Sequence, residues 1–270
     1  MPRLSIITIN YNNCRGLHET IVSVTSQKYS DFEFLIIDGG STDGSVDLIN
    51  QISNELAFWV SEKDNGIYNA MNKGIKAATG DYLLFLNSGD YLLAENSLGE
   101  FKLEENHSDI IAGDILLDDS FRSVICPPDE LTFSYFIKRT LPHQSTLIKK
   151  SLFDKFGLYN EEFKIVADWA FFLQMICVYN VSYHHVNAII SVYNIKGFSS
   201  NIENGQLFNE EKRRHLNKCY PVFLRDYEKS ESVNLQLKLI THSLSFRFVE
   251  RLKKLLRVNL IKSYIKKLRR

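Results

Sequence analysis

Residues 82–90 of the chain read Tyr-Leu-Leu-Phe-Leu-Asn-Ser-Gly-Asp, and this stretch decides the fold. Its short, continuous apolar run is typical of a strand that is buried on both faces. In open α/β sheets ligands bind beyond the carboxyl ends of the strands, where Ser88, Gly89 and Asp90 follow here. A carboxylate there can hold a divalent cation, which can in turn hold a diphosphate. A strand followed by an ordinary Ser-Gly-Asp turn would have the same sequence pattern, so a cation site is indicated only together with other features of the chain.

The order of elements around this stretch predicts an α/β fold. Ahead of residue 82, short connections join strand-like and helical segments that alternate along the chain: strands at 4–9, 32–37 and 57–61, helices at 17–27, 45–52 and 67–78. Such alternation implies right-handed crossovers and a mostly parallel central sheet flanked by helices. After about residue 105 the pattern loosens, with strand-like runs at 110–113 and 145–148 and a helix at 167–178.

Composition is that of an ordinary globular protein, with 270 residues of which 44% are hydrophobic and 24% charged. The four cysteines are scattered without metal-ligand spacing, which indicates free thiols in a reducing compartment. No signal peptide pattern and no apolar run near the roughly 18 residues of a membrane span are present in the sequence. We therefore expect a cytoplasmic protein, attached at most to the inner face of the cell membrane.

The net charge of zero hides a basic C-terminal tail. The segment from Arg247 to Arg270 contains ten Lys or Arg residues and only one acidic residue, Glu250. Apolar residues recur among them at helical spacing. A basic amphipathic helix of this kind either binds an anionic membrane surface or packs its apolar stripe on the body of the protein. No nucleic-acid-binding motif accompanies the charge, so nucleic acid is not an expected partner.

Several common sites are absent from the sequence. The first strand is followed by Asn-Tyr-Asn-Asn instead of Gly-x-Gly-x-x-Gly, which argues against a classical dinucleotide site. There is no phosphate loop of the ATPase kind and no Gly-x-Ser-x-Gly elbow of a serine hydrolase. His184 and His185 are adjacent, so in a strand they point to opposite faces and cannot share a metal ion.

Polar side chains remain at the ends of successive strands, along one edge of the predicted sheet: Thr8, Asn10, Tyr11, Asp38, Asn87, Ser88 and Asp90. Together they suit a nucleoside diphosphate. The Tyr11 ring can stack on the base, Asp38 can accept base N–H groups, and a cation on Asp90 can bridge the phosphates. Taken singly, Tyr11 could serve packing and Asp38 could cap the turn through Gly39 and Gly40.

The motifs around these residues resemble glycosyltransferase family 2, inverting enzymes of the GT-A fold. The resemblance covers roughly the first 200 residues. It includes the opening strand with Tyr-Asn at 11–12, Thr-Ser-Gln at 25–27, Asp-Gly-Gly-Ser-Thr-Asp at 38–43, the Asn-Gly helix at 65–74, the strand ending at Asp90, and Ala-Asp-Trp at 167–169. The Ser-Gly-Asp variant and His-Gln-Ser at 143–145 are similar to a subgroup that builds bacterial capsular polysaccharides and exopolysaccharides.

The resemblance implies a GT-A domain at residues 1–215, with a nucleotide-sugar-binding half at 1–105 and an acceptor half at 106–215. A helical extension with the basic amphipathic helix follows at 216–270. Asp168 becomes the catalytic base, Asp90 the ligand of Mg²⁺ or Mn²⁺, and His143 and Trp169 contacts for phosphate or acceptor, with Trp169 as a face for sugar stacking. Without the resemblance, Asp168 could equally cap its helix, Trp169 could belong to the core and His143 could be structural. The expected nucleotide-binding residues are Thr8, Asn10, Tyr11, Asp38, Asn65, Asn72, Lys73, Ser88 and Gly89.

Three positions depart from the family pattern. Ser88 replaces the first aspartate of Asp-x-Asp, Ala167 replaces the glutamate of Glu-Asp, and Met71 stands where an arginine is usual. The lost carboxylates leave a second class open, a partner subunit that binds nucleotide-sugar without turnover. A nucleotidyltransferase fits less well, because its Gly-rich loop with trailing Arg and Lys is absent.

The expected activity is a metal-dependent hexosyl transfer with inversion, in bacterial surface polysaccharide biosynthesis. An acceptor hydroxyl attacks the anomeric carbon while Asp168 takes its proton and a cation stabilises the departing diphosphate. Asp38 can pair with uracil or guanine, so UDP is preferred to GDP on family frequency alone. The acceptor is a glycan or a polyprenyl-linked glycan, and the basic tail would bring the enzyme to it on the membrane.

Overall fold

The first half of the chain builds a parallel sheet. The computed structural model describes residues 2–195, 202–242, 251 and 253. Four strands pair in parallel in the order β3-β2-β1-β4: β1 (Leu4–Asn10), β2 (Phe32–Asp38), β3 (Phe58–Ser61) and β4 (Tyr82–Phe85). The helices that connect them are α1 (Cys14–Thr25), α2 (Ser45–Gln51) and α3 (Ile67–Ala77). Helix α1 begins earlier than its apolar pattern predicts, because the Asn13 side chain caps it by accepting the Gly16 N–H.

The second half extends this sheet with mixed pairings. Its strands are β5 (Tyr91–Leu92), β6 (Ile110–Leu117), β7 (Val124–Ile125), β8 (Thr146–Lys149) and β9 (Tyr183–Tyr193). Strand β8 runs antiparallel to both β4 and β6, whereas β6 and β9 are parallel. Its helices are α4 (Phe133–Lys138), α5 (Lys150–Phe156) and α6 (Ala167–Cys177). The α/β architecture is confirmed. All strand pairs within the first half are parallel, whereas the second half combines parallel and antiparallel pairs.

Two helices complete the described residues, α7 (Ile202–Cys219) and α8 (Pro221–His242). The chain divides into two compact units, Met1–His215 and Leu216–Arg270. The basic amphipathic helix expected at 247–270 lies outside the described residues, apart from 251 and 253. In the part of the chain that the structure describes, no helix is long and apolar enough to cross a membrane. The four cysteines are free thiols.

Close packing of α3 on β1 fixes the edge where the strands end. Every residue of β1 is buried, and a Cβ at Gly74 of α3 would lie only 2.4 Å from Ile7 Cγ2. Only a glycine lets the helix approach so near. At the carboxyl ends, Asn10 pairs with Asp38 in register, and the Ser88 N–H donates to the carbonyl of Ile9. Successive strand ends therefore meet, as the sequence predicts.

Helix α7 braces the start of α6 through two adjacent buried side chains. The Glu211 carboxylate accepts the backbone N–H groups of Lys164 and Ile165, just before α6 begins. Lys212 Nζ donates to the carbonyls of Phe136 and Ile137 at 3.1 and 3.2 Å. It also lies 4.8 Å from the centre of the Trp169 ring. These contacts fix the segment that carries Asp168.

The buried lysine predicts a pH dependence of stability. Burial lowers the pKa of Lys212 to about 8, so between pH 8 and 10.5 the unfolded chain holds the proton that the folded chain has lost. Stability contributed by this group therefore rises with pH in that window. We expect the free energy of unfolding of the wild type to gain about 1–2 kcal/mol relative to Lys212→Met between pH 8 and 9.5. Urea unfolding at several pH values measures this. The same pH dependence of the free energy of unfolding in the two proteins would contradict the prediction.

Candidate active site

Asp38 lies at the end of β2 with both carboxylate oxygens fully engaged. It accepts hydrogen bonds from Asn10 Nδ2 at 2.7 Å, from the Ser41 and Ser61 hydroxyls at 2.6 Å each, and from the N–H groups of Gly40 and Ser41. Burial alone would raise the pKa of Asp38, but these hydrogen bonds outweigh it and hold the pKa below its usual value. The carboxylate is thus ionised and shapes the loop that follows β2. A base N–H would have to replace one of its present donors.

Tyr11 presents an aromatic face at the same strand edge. It follows β1 directly and is 68% exposed, which is unusual for a large ring. Its ring edge and the Asp64 carboxylate both lie close to Gly39, where an added Cβ would meet each of them at 3.2 Å. The neighbouring Asn10 Oδ1 atom is buried and accepts no hydrogen bond from the described residues. A flat aromatic surface, an unused acceptor and a carboxylate therefore adjoin one another.

Residues 87–90 turn sharply after β4 and bury Asp90. Gly89 has φ +100°, a conformation that side chains other than glycine rarely adopt. The turn directs Asp90 inward, where Oδ1 accepts the Asn194 N–H at 2.9 Å and Oδ2 accepts Gln144 Nε2 at 3.1 Å. Burial raises the pKa of Asp90 to about 6, and these hydrogen bonds offset only part of that effect.

The donor set at Asp90 fits a divalent cation whose shell comes largely from a ligand. In the described residues no group of three or more His, Cys, Asp or Glu side chains is arranged around a metal position. Asp90 nevertheless carries a buried charge whose hydrogen-bond donors, an amide and a backbone N–H, are neutral. An ionised carboxylate in such surroundings is stabilised by a nearby cation. Magnesium accepts one protein carboxylate when phosphate oxygens and waters complete its octahedron.

Asp168 lies in the first turn of α6 and faces the sheet edge. Its Oδ1 accepts the Tyr68 hydroxyl at 2.8 Å, and its Oδ2 lies 3.1 Å from His143 Nδ1. Burial alone would raise the pKa of Asp168, but the His143 ring and then the Tyr68 hydroxyl stabilise the charged form and hold the pKa below its ordinary value. Asp168 is therefore a buried carboxylate that stays ionised at neutral pH.

The turn at residues 143–145 connects the two carboxylates. His143 contacts Asp168 through Nδ1 and lies 3.3 Å from Asn87 Nδ2 through Nε2. The next residue, Gln144, contacts Asp90. Consecutive side chains of one turn thus reach the start of α6 and the end of β4, which places Asp168 and Asp90 at a common site.

An aromatic cluster packs around Tyr68 and supports this site. Rings from α3, β4, α5, α6 and the 157–166 loop pack against one another with centroids 4.4–6.4 Å apart: Tyr68, Phe85, Phe153, Tyr159 and Phe171. Such packing fixes the Tyr68 ring and with it the hydroxyl that reaches Asp168. Burial also raises the pKa of Tyr68 well above its ordinary value, so this hydroxyl remains a donor.

Four expected ligand contacts are occupied by the protein itself. Trp169 is completely buried and its indole N–H donates to the Phe136 carbonyl, so in this structure the ring packs in the core. The Thr8 hydroxyl is buried and donates to the Leu86 carbonyl. Asn72 is also buried, and its amide bonds the backbone of Tyr159 and the Glu161 carboxylate. Lys73 forms ion pairs of 2.6 Å with Glu62 and with Asp64.

Asn65 differs from these four because it is exposed, at the start of the segment that leads into α3. Its backbone N–H donates to Asn69 Oδ1, and its side chain lies at the surface. Asn10, Tyr11, Ser88 and Gly89 remain near the strand ends, where the sequence predicts them. Ser88 contacts Asn13 Nδ2 through its carbonyl at 2.9 Å and through its hydroxyl at 3.4 Å.

Sequence reasoning missed three side chains at the site: Tyr68, Gln144 and Asp64. Tyr68 stands 100 residues before the carboxylate it contacts, so no local pattern indicates the pairing. Gln144 was visible only as part of the His-Gln-Ser segment, without a role. Asp64 precedes the Asn-Gly pair that marks the start of α3, a position from which a side chain can reach the strand edge.

Comparison with known proteins agrees with this geometry. A family model described as glycosyl transferase family 2 matches residues 5–157. A "PGL/p-HBAD biosynthesis glycosyltransferase" of Mycobacterium tuberculosis is 32% identical over 208 residues, which are 74% of this chain and 80% of that protein. An "uncharacterized glycosyltransferase" of the same species is 31% identical over 229 residues, 82% of this chain and 86% of its own.

Solved structures share the fold at lower identity. The crystal structure of S. aureus TarS 1-349 in complex with UDP superposes with a TM-score of 0.60 at 21% identity, over 72% of this chain and 60% of that one. A mannosyltransferase from Pyrobaculum calidifontis, in complex with GDP-Man and Mn²⁺, superposes with a TM-score of 0.52 at 19% identity, over 71% of this chain and 56% of that one. The chain thus spans a little over half the length of these structures. With the family model and the mycobacterial relatives, the protein belongs to glycosyltransferase family 2.

Proposed function

We propose that this glycosyltransferase inverts the anomeric centre while it moves a hexosyl group from a nucleoside-diphosphate sugar to a hydroxyl acceptor. The observation that carries the proposal is the ionised, buried Asp168, which His143 and Asn87 connect to the strand end that bears Asp90. Inversion requires one base on the side opposite the departing nucleotide, and a single fixed carboxylate can supply it. Oriented groups held 3 Å apart make the attack nearly unimolecular.

The nucleotide is assigned to the strand ends of the first half. Tyr11 offers an exposed ring on which the base stacks. The Asn10–Asp38 pair lies beside it: Asn10 Oδ1 is an unused acceptor for a base N–H group, and Asp38 would accept one in exchange for a present donor. UDP is preferred to GDP as the nucleotide. TarS was crystallised with UDP and with UDP-GlcNAc, whereas the mannosyltransferase was crystallised with GDP-Man. Asn65, Ser88 and Gly89 are assigned to complete the proposed nucleotide site.

A divalent cation, Mg²⁺ or Mn²⁺, is proposed to be held by Asp90 with diphosphate oxygens. When bound, such an ion stabilises the negative charge that collects on the leaving diphosphate. The protein's own part is to hold the Asp90 carboxylate in place through Asn194 and Gln144. Asp168 meanwhile keeps its charge for the acceptor hydroxyl.

The acceptor is proposed to be a hydroxyl of a glycan or of a polyprenyl-linked glycan in bacterial surface polysaccharide biosynthesis. The mycobacterial relative is named for PGL/p-HBAD biosynthesis, which supports a role for this chain too in building a glycosylated product. The basic segment 247–270 would bring the enzyme to an anionic membrane surface, at the cytoplasmic face.

Replacement of the base tests the enzymatic assignment. Asp168→Asn keeps the shape of the side chain, so we expect the fold and UDP binding to persist. Transfer and donor hydrolysis should fall by about 10²–10⁴-fold, since the base is lost. Release of UDP from a panel of UDP- and GDP-sugars measures this, with Asp47→Asn on the exposed face of α2 as the control. A wild-type protein that binds donors without turning them over would instead be a nucleotide-sugar-binding partner subunit.

Asp90→Asn tests the proposed cation site. Because burial raises the pKa of Asp90 to about 6, its charge at pH 8 destabilises the fold when no cation is present. We expect the variant to be more stable than the wild type in EDTA, by about 1–3 kcal/mol. In the variant, Mg²⁺ with UDP should no longer raise the melting temperature as it does for the wild type. Equal melting temperatures in EDTA together with equal stabilisation by Mg²⁺ would contradict the assignment.

Membrane attachment is tested by sedimentation with liposomes. The full chain should sediment with vesicles that contain anionic lipid, and less so at high salt, because ten basic residues stand in the tail. A chain that ends at Phe246 should stay in the supernatant. Equal partitioning of the two proteins would exclude the tail as the anchor, and neutral vesicles control for apolar binding.

A further inference from the structure

The contacts of Asp168 raise a question about how the acceptor loses its proton. Each carboxylate oxygen already accepts a hydrogen bond, one from the Tyr68 hydroxyl at 2.8 Å and one from His143 Nδ1 at 3.1 Å. The Asp168 side chain is only 12% exposed. An acceptor hydroxyl that reached this carboxylate directly would have to displace one of two buried partners. The His143 side chain is similarly buried, at 15% exposure, but it carries a second ring nitrogen that Asp168 does not occupy.

The partners of His143 define the state of its ring. A carboxylate can only accept, so the contact with Asp168 places the ring hydrogen on Nδ1. The lone pair of the neutral ring is then on Nε2, where Asn87 Nδ2 lies at 3.3 Å. That distance exceeds the usual range for a hydrogen bond from nitrogen, so the contact is weak and exchanges readily. Nε2 is thus a basic atom at the end of β4, beside the segment that ends in Asp90.

We propose that His143 is a catalytic residue whose Nε2 atom removes the proton of the acceptor hydroxyl, while Asp168 orients the ring. The inference deepens the proposed function and rests on it. Asp168 holds Nδ1–H in place and stabilises the positive charge that forms on the ring. The two residues act as one base, which is why Asp168 remains essential without touching the acceptor.

The step balances without any further reactant. The acceptor oxygen forms a bond to the anomeric carbon as its O–H bond breaks, and the proton passes to His143 Nε2. The bond between the anomeric carbon and the diphosphate oxygen breaks, and its electron pair leaves with the nucleoside diphosphate. The imidazolium later returns its proton to water.

Asn87 has the features needed to serve both states of the ring. Its Oδ1 atom is buried and has no hydrogen-bond partner among the described residues, which is costly for an amide oxygen. Before proton transfer the amide N–H group faces the Nε2 lone pair. After transfer, Nε2 carries a hydrogen, and rotation of the same amide presents Oδ1 as its acceptor. The unpaired oxygen therefore has a role in the product state.

A glutamine in place of His143 separates this role from a structural one. His143→Gln can still donate to Asp168 and reach Asn87, but it cannot take a proton at neutral pH. We expect kcat for transfer and for donor hydrolysis to fall by about 100-fold or more, with the Kd for UDP within about twofold of wild type. His184→Gln, at an exposed histidine of β9, is the control and should behave as wild type.

The outcomes distinguish the inference from the proposed function. If the wild type turns over a donor and His143→Gln retains its kcat, the inference fails alone and Asp168 is the direct base. If His143→Gln weakens UDP binding while kcat is kept, His143 is a phosphate contact and the inference is again overturned. If the wild type binds no nucleotide and turns over no donor, the proposed function fails as well.

A spectroscopic test needs no substrate. In ¹⁵N NMR spectra of the full chain, His143 should show the Nδ1–H tautomer, because Asp168 accepts from that atom. Asp168→Asn removes the charge that selects this tautomer, and the Nδ1 and Nε2 shifts should move towards those of the common Nε2–H form. An Nε2–H tautomer in the wild type would leave no lone pair for the acceptor and would overturn the inference.

Discussion

The site depends on one buried charge, the carboxylate of Asp168. It joins α6 to the Tyr68 hydroxyl from α3 and to the His143 ring from the turn before β8, so elements from both halves of the sheet converge on it. A buried carboxylate stripped of its partners costs several kcal/mol, whereas one that is fully hydrogen-bonded stays ionised. The fold therefore has to bring these three elements together, and the same arrangement keeps the Asp168 carboxylate ionised.

The scaffold around this charge is built to resist movement. The aromatic cluster of Tyr68, Phe85, Phe153, Tyr159 and Phe171 holds the hydroxyl below Asp168. From the other side, α7 fixes the backbone before α6 through adjacent buried side chains of opposite charge, each of which bonds the backbone instead of its neighbour. A site that must position a hydroxyl to within a fraction of an ångström needs support of this kind.

The sequence predicts the features that depend on neighbouring residues, and it does not predict those that depend on residues far apart along the chain. Strand ends were predictable, since apolar runs and polar ends are local, and Asn10, Tyr11, Asp38 and Asp90 lie where the pattern indicates. The long strand β9 was missed because more than half of its length is not buried and it lacks a continuous apolar run. The burial of Trp169 and the pairing of Tyr68 with Asp168 depend on partners tens of residues away. Side-chain periodicity carries no information about such pairs, so only the family motif could indicate Asp168.

Electrostatics explains two of the three departures from the family pattern, Ser88 and Ala167. Burial raises the pKa of Asp90, whereas the partners of Asp168 lower the pKa of that group, so one carboxylate readily takes up a compensating positive charge and the other holds its own. Sites that separate two carboxylates in this way assign them different tasks. Carboxylates in place of Ser88 and Ala167 would add like charges to a site this buried, and like charges disfavour the ionised form of each carboxyl. In the proposed function, a cation held with the diphosphate would balance the charge of Asp90, and the charge of Asp168 would stabilise the His143 ring.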